Sequence, residues 1–391
     1  FGLAGSVILP MSQALLVHQF PEGEKGKAVG LWSIFASLSL AAGPLVGGAI
    51  LEMWGWRWIY LMNVPVVLVA IPLVGFFVVR DEGGERVHCD WGGVLLLAVV
   101  VVSLVVGIMQ APNWDTGVIL GLFAVALFGL CAFVGVELRT SRPLFRPDLF
   151  LQRSFIFSAV PNGCMMGFIW VSFFLIPLYL QNMRGFTPLE TGATLLLVTL
   201  PVAVLSVPVG RWFDRSGAKR LLFWGFSFLI LSAFIQILFA GSKAFWPIGV
   251  GCFALGMGWV LVWGPSISCA LSALPHRLAG IASGMFTTIQ ELGAIVSLAI
   301  AGVFFRETQE HLLEPQMEQI EGVLNKCPAD QMQLLLSNPA AIEGQVGINS
   351  PILPWLRDAF LGGYQAAFWF LLALSIFALL MSLFLKEKKR A

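Results

Sequence analysis

Eleven apolar runs divide this chain, at 2–20, 27–50, 57–79, 92–111, 117–137, 155–180, 190–210, 221–240, 245–271, 280–304 and 360–385. Each is near the ~20 residues needed to cross a hydrocarbon core about 30 Å thick. No water inside that core satisfies backbone N–H and C=O groups, so such runs must close their own hydrogen bonds as helices. The pattern predicts an all-α polytopic membrane protein embedded in a lipid bilayer. Composition agrees, with 12% of residues charged against about 25% in soluble domains. A net charge of +1 offers no electrostatic footprint for nucleic acid, and none is expected as a partner. The six cysteines are scattered without a CxxC, and no histidine stands at ligand spacing from them. Neither a disulfide framework, a metal site nor a cofactor is expected.

The links between runs are short except for 305–359, which is rich in Glu, Gln, Asn and Pro and too polar to enter lipid. Basic residues set the orientation. Seventeen of the 23 fall in alternate loops and the C-terminal tail, among them Lys25, Arg80, Arg139, Arg215 and Lys386, whereas six, including Arg57, Arg184 and Arg306, fall on the other side. Positive charge marks the cytoplasm, which predicts a cytoplasmic C-terminus and an extracytoplasmic 305–359 loop. Within that loop, Leu313, Met317, Ile320 and Leu324 have helical spacing, interrupted by Pro315 and Gly322. Tryptophans at run ends, such as Trp54, Trp56, Trp58, Trp91 and Trp246, suit the membrane interface.

The second run holds an unusual set of small residues: Gly30, Ser39, Gly43-Pro44 and Gly47-Gly48. Small residues on one helical face let a second helix approach to backbone contact in lipid, and Pro44 bends the helix. Taken alone, this spacing fits a generic packing face as well as a conformational element. The chain also repeats itself: Pro21-x4-Gly26-x3-Gly30 recurs as Pro275-x4-Gly280-x3-Gly284, an offset of 254 that also places Ser39 on Gly293 and Ser37 on Glu291. Two copies of one helical bundle are the expected consequence.

Two further features carry chemistry. GRWFDRSGAKR places Gly210, Asp214, Arg215, Gly217, Lys219 and Arg220 in a tight cytoplasmic turn. Gly210 and Gly217 are expected to permit the turn and a close helix approach, and Asp214 to accept hydrogen bonds across it; a positive-inside anchor explains the charges equally well. Of 22 acidic residues, Glu291 is the one well inside a run. A carboxylate at mid-membrane costs on the order of 2.5–3.5 kcal/mol, so it should be protonated, paired or facing water. It reads as a protonated group bonded to a neighbouring helix, as a proton or cationic-substrate site, or as a residue nearer a span end than the run suggests. Gln13, Asn162, Trp170, Gln236, Trp259 and Trp263 are polar or aromatic candidates for a central cavity, with Trp259 and Trp263 four apart on one face and suited to flat apolar or cationic solutes.

The Gly30–Gly48 spacing resembles G-x8-G-x3-GP-x2-GG, the antiporter signature in the fifth helix of drug exporters of the major facilitator superfamily, with Ser39 where the second Gly stands. GRWFDRSGAKR resembles the superfamily's cytoplasmic loop G-x3-D-R-x-G-x-[RK]-[RK]. FPEGEKGKAVGLW at 20–32, MWGWRWIYLMNVP at 53–65, CDWGG at 89–93 and YLQNMRGFTPLETG at 179–192 are similar to the fourteen-helix drug:proton antiporters of the EmrB/QacA type. The resemblance implies a major facilitator fold of two pseudo-symmetric six-helix bundles plus two inserted helices. It also implies that the chain enters within the fourth helix, with three helices and ~100 residues lying upstream of Phe1 and missing here. On this reading 1–79 is the last half of the first bundle, 80–154 the inserted pair with a cytoplasmic linker, and 155–391 the second bundle. Asn63, beside Pro65, looks like a backbone-capping position.

The function implied is a secondary transporter that exchanges protons for amphipathic organic compounds across the cell membrane, the inner one in a double-membrane bacterium, where a periplasmic adaptor and outer-membrane channel would be partners. A membrane-embedded enzyme is opposed by the absence of H-E-x-x-H, GxSxG and P-loop motifs. A truncated, non-transporting homologue that binds a partner is the other alternative.

Overall fold

The computed structural model of the chain describes residues 12, 25–77, 91–111, 114–139, 149, 152–242, 244–272, 279–316 and 352–385. The regular elements in order are α1 (Lys25–Trp54), α2 (Trp56–Leu61), α3 (Asn63–Phe77), α4 (Trp91–Gln110), α5 (Thr116–Glu137), α6 (Arg153–Arg184), α7 (Pro188–Ser216), α8 (Ala218–Phe239), α9 (Trp246–Ser272), α10 (Ala279–Leu313) and α11 (Leu353–Leu383), with a 3-10 turn at Glu314–Gln316. Among the described residues nine segments are long and apolar enough to span a membrane, and no strand occurs. The expected span 2–20 lies outside the described residues apart from Ser12, while α1 covers the expected run 27–50.

Helix ends follow local sequence. α1 stops at Gly55, whose φ of 83° is open to glycine without strain. Asn63 then donates from Nδ2 to the carbonyls of Ile59 at 3.0 Å and Tyr60 at 3.3 Å, capping the short α2 as its place beside Pro65 suggested. α6 ends at Gly185 with φ 66°. The next helix opens on a reciprocal cap: the Thr187 N–H donates to Glu190 Oε2 at 2.9 Å and the Glu190 N–H to Thr187 Oγ1 at 3.2 Å, with Pro188 in the first turn. α10 runs nine residues beyond the apolar run that predicted it and stops before Pro315, because Arg306, Glu307, Gln309 and Glu310 sustain a helix as well in water as the apolar residues do in lipid.

The chain divides into two compact units, Phe1–His88 with Phe186–Val204, and Cys89–Gly185 with Leu205–Ala391. In the first, α1 lies against the N-terminal part of α7, and α3 leaves its apolar side chains exposed. In the second, α6 is the central helix, in contact with α9, α10 and α11, while α8 packs on α9 and α11. Two-thirds of the apolar window of α6 is buried, compared with about a fifth in α4 and α5. That contrast separates a bundle's inner helix from a pair whose outer faces meet lipid. α4 and α5 pack on each other, with Gly93, Val100, Ser103 and Gly107 buried on α4 and Ile119, Ala126 and Phe133 buried on α5. A Cβ on Gly107 would lie 3.3 Å from the Phe123 ring, so glycine makes room for that aromatic. α4 also meets α10, where Arg306 Nη2 donates to the Met109 carbonyl at 2.6 Å.

Candidate functional site

The acid singled out by sequence, Glu291, sits in the fourth turn of α10. Its side chain is exposed among the described residues and not enclosed by them, where a mid-membrane position suggests burial. Turn geometry explains this: residue 291 points away from the α6-facing stripe made by Ile289, Gly293 and Ser297. Its neighbour Gln290 donates from Nε2 to Glu291 Oε1 at 3.4 Å and accepts at Oε1 from Asn162 Nδ2 at 3.0 Å. Asn162 is fully buried on α6. Sequence spacing gave Asn162 and Glu291 as separate candidates; the fold links them through Gln290, which it left unmarked.

The helices meet closely enough for this link because they are small where they touch. A Cβ built on Gly293 would lie 2.6 Å from the Gly163 carbonyl carbon and 2.7 Å from its Cα. One on Gly167 would run into Ser297, and one on Gly163 would stand 3.0 Å from the Ile289 carbonyl oxygen. Gly163-x3-Gly167 and Gly293-x3-Ser297 thus form facing small-residue stripes, a signal present in the sequence and overlooked beside the longer Gly30–Gly48 set.

The aromatic candidates fall on a different seam of the same unit. Trp259 and Trp263 have ring centroids 6.4 Å apart, and Phe173 of α6 meets Trp259 edge-on at 5.9 Å. Trp259 is buried, Trp263 half-buried and Trp170 exposed, so the three indoles do not line one surface. Gln13 lies outside the described residues. Gln236 accepts from the Tyr364 hydroxyl at 3.0 Å, and the Tyr179 and Tyr364 rings lie 4.9 Å apart. Tyr179 donates to the Ala240 carbonyl and accepts from Arg184 Nε at 3.1 Å. This polar-aromatic cluster ties α6, α8 and α11 together and belongs to the bundle's packing. Asn162 Oδ1, Ser172 Oγ, Gln236 Nε2, Trp259 Nε1, Trp263 Nε1 and Ser266 Oγ are buried without a partner among the described residues. Each such atom costs about 1–3 kcal/mol if it stays unsatisfied.

In the first unit the motif helix shows which of its small residues matter. Gly48 lies against the Pro188 carbonyl, where an added Cβ would be 3.1 Å from Leu189 Cα, and Gly192 lies against Pro44, where an added Cβ would be 2.8 Å from its carbonyl carbon. Glu52 Oε2 accepts the Leu189 N–H at 3.1 Å. That bond satisfies an otherwise free donor of the first turn of α7 and places negative charge at its positive end. Gly43 and Gly47 have open space around them, Ser39 is exposed, and the surroundings of Gly30 lie outside the described residues. Among the described residues of the motif, close contact is therefore found at Pro44 and Gly48.

In the turn between α7 and α8, Gly217 takes φ 77°, as a sharp reversal requires. Gly210 has nothing within reach of an added Cβ, so it serves no close helix approach here. Lys219 Nζ donates to the Leu383 carbonyl at 2.6 Å, placing a cation on the C-terminal end of α11. Arg215 and Arg220 are exposed; the side chain of Asp214 lies outside the described residues.

Comparison with known proteins gives a family match and several relatives. The model of the Major Facilitator Superfamily matches residues 1–298. The multidrug resistance protein Stp of Mycobacterium tuberculosis is 30% identical over 322 residues, covering 81% of this chain and 60% of that protein. The tetracenomycin C resistance and export protein of Streptomyces glaucescens is 30% identical over 309 residues, covering 77% and 57%. The methylenomycin A resistance protein of Streptomyces coelicolor is 26% identical, covering 79% and 66%. The chain thus spans about 60% of the length of the first of these relatives. A solved bacterial homologue of the human lysosomal transporter Spinster, inward-facing and unoccupied, matches 96% of this chain and 74% of its own with a TM-score of 0.55 at 14% identity, a likeness of fold.

Proposed function

This chain belongs to the Major Facilitator Superfamily, and on that premise we propose that it is the greater part of a secondary transporter exporting amphipathic organic compounds in exchange for protons. The observation that carries this reading is the link from Glu291 through Gln290 to Asn162, set at a backbone-tight helix seam. A lone intramembrane carboxylate held by an amide and open on its other side is able to take a proton, lose it, or receive a cationic solute. The relatives named for multidrug, tetracenomycin C and methylenomycin A resistance support the substrate class. The Trp259 and Trp263 rings, tilted 55° to each other, are candidate contacts for aromatic or cationic solutes, with Asn162, Trp170 and Gln13 as separate candidates for the path.

Alternating access needs a contact able to hold one state and release it. We assign that role to Pro44 and Gly48 of α1 with Pro188 and Gly192 of α7, where neither side has room for a side chain. Lys219 on the Leu383 carbonyl acts as a latch at the cytoplasmic turn, with Asp214, Arg215 and Arg220 around it. The bundle boundaries proposed are 1–79, 80–154 and 155–391, within a cell membrane, the inner one of a double-membrane bacterium, with the C-terminus cytoplasmic and 305–359 outside. Lys219 with Leu383, and Arg306 with Met109, join chain ends that the basic-residue count assigns to one side each, which supports the alternation. In a double-membrane bacterium an adaptor and outer-membrane channel would carry the exported compound onward.

The test is export by the full-length protein in proteoliposomes under an imposed pH gradient. Glu291→Gln is expected to abolish gradient-driven export while exchange of substrate across a membrane without a gradient persists. Uphill export at the parental rate by Glu291→Gln moves the proton site elsewhere.

A further inference from the structure

The backbone donors that open α7 are accounted for one by one. The N–H of Thr187 goes to Glu190 Oε2 and that of Glu190 to Thr187 Oγ1, Pro188 has none to give, and the Thr191 N–H starts the intrahelical series on the Thr187 carbonyl at 2.9 Å. The remaining donor, the Leu189 N–H, goes to Glu52 Oε2 of α1 at 3.1 Å. The cap bonds between Thr187 and Glu190 lie within α7 and travel with it, whereas the bond to Glu52 spans two helices.

Helix geometry explains why residue 52 makes that bond. Pro44, Gly48 and Glu52 are four apart and share one face of α1. The contacts of Pro44 with Gly192 and of Gly48 with Pro188 set the pair antiparallel, so Glu52 stands one turn past the point where α7 begins. Helical side chains lean toward the N-terminus of their own helix, which carries the Glu52 carboxylate back over the turn of Gly48. An added Cβ on Gly48 would stand 3.1 Å from Leu189 Cα, so the missing side chain there is what lets the two backbones come close enough for the carboxylate to reach. Glu52 and Leu189 are both exposed. On separation water takes up donor and acceptor alike, and neither is stranded in an apolar surrounding.

We propose that Glu52 is a positioning residue for the transport cycle: its charge holds the start of α7 on α1 in this structure, and the bond breaks when this end of the pair opens to water. Small residues set where the helices meet, and the carboxylate supplies a hold that is strong while made and cheap to release. The charge matters because an ionised acceptor bonds more strongly than a neutral one and is favoured further by the positive end of α7. The inference rests on the reading that α1 and α7 part during transport, and is independent of Glu291.

Thr191, 3% exposed and one turn into α7 from Pro188, reports the opening. Thr191→Cys is introduced into the full-length protein in lipid nanodiscs, and modification by a water-soluble maleimide is followed on the peptide that carries it by mass spectrometry. Labelling is expected to rise about threefold when Glu52→Gln is added, and further with Glu52→Ala, as loss of a charge-assisted bond predicts. The buried Cys252, read in the same digest, is expected to stay unlabelled. Unchanged labelling at position 191 in Glu52→Gln overturns the proposal, and so does a parallel rise at Cys252, which marks general loosening. Gly48→Val separates the two readings, since it forces the helices apart and leaves Glu52 in place. Labelling raised by Gly48→Val and not by Glu52→Gln removes the role of Glu52 alone; labelling raised by neither removes the parting of α1 and α7 as well.

Discussion

Gly293→Ala is the sharpest perturbation of the α6–α10 seam. The added Cβ would lie 2.6 and 2.7 Å from backbone carbon atoms of Gly163, and no rotamer change moves backbone. Carbon pairs settle near 3.5–4.0 Å, so the helices must part by close to 1 Å. The Asn162–Gln290 bond, now 3.0 Å, would stretch beyond hydrogen-bonding range. Overpacking of this kind costs about 1–3 kcal/mol, which lowers the melting temperature by about 2–5 °C on the unfolding entropy of a domain this size. Gly284→Ala on the same helix is the control, since nothing lies within 4 Å of its added Cβ. Relief of glycine's entropy there should raise stability by up to about 1 kcal/mol. Thermal unfolding of the purified protein, followed by tryptophan fluorescence, compares the two. Equal melting temperatures for both variants, or a more stable Gly293→Ala, would refute the tight-seam argument.

Gly48→Val should press on the Pro188 carbonyl and reduce export, while Gly47→Val, with open space around it, should export near the parental rate; transport assays of the pair decide whether close contact or mere glycine content matters. Lys219→Gln should free the Leu383 carbonyl and raise hydrogen exchange in the last turn of α11, read by mass spectrometry. Arg306→Gln should loosen α4 from α10 and raise hydrogen exchange in the last turn of α4. A membrane-impermeant thiol reagent applied to right-side-out cells should label Cys327 and spare Cys89, and the reverse outcome would invert the topology.

What the sequence determined follows from short-range physics. Apolar length and the need to close backbone bonds within lipid set the helices, and glycine, proline and Thr-x-x-Glu patterns set their ends, so Gly55, Gly185, Gly217 and the Thr187–Glu190 cap were readable residue by residue. Small residues announced that close packing would occur but not where. Of the described members of the Gly30–Gly48 set, Pro44 and Gly48 are the ones at close contact with a partner helix, and Gly163, Gly167 and Gly293, which drew less notice, make the tightest seam described in the second unit. Helical periodicity places a residue on a face without naming what that face meets. Only tertiary structure decided that Glu291 would be exposed and that Gln290 would join it to Asn162, 128 residues from Gln290, because that link depends on which glycine stripes find each other across lipid.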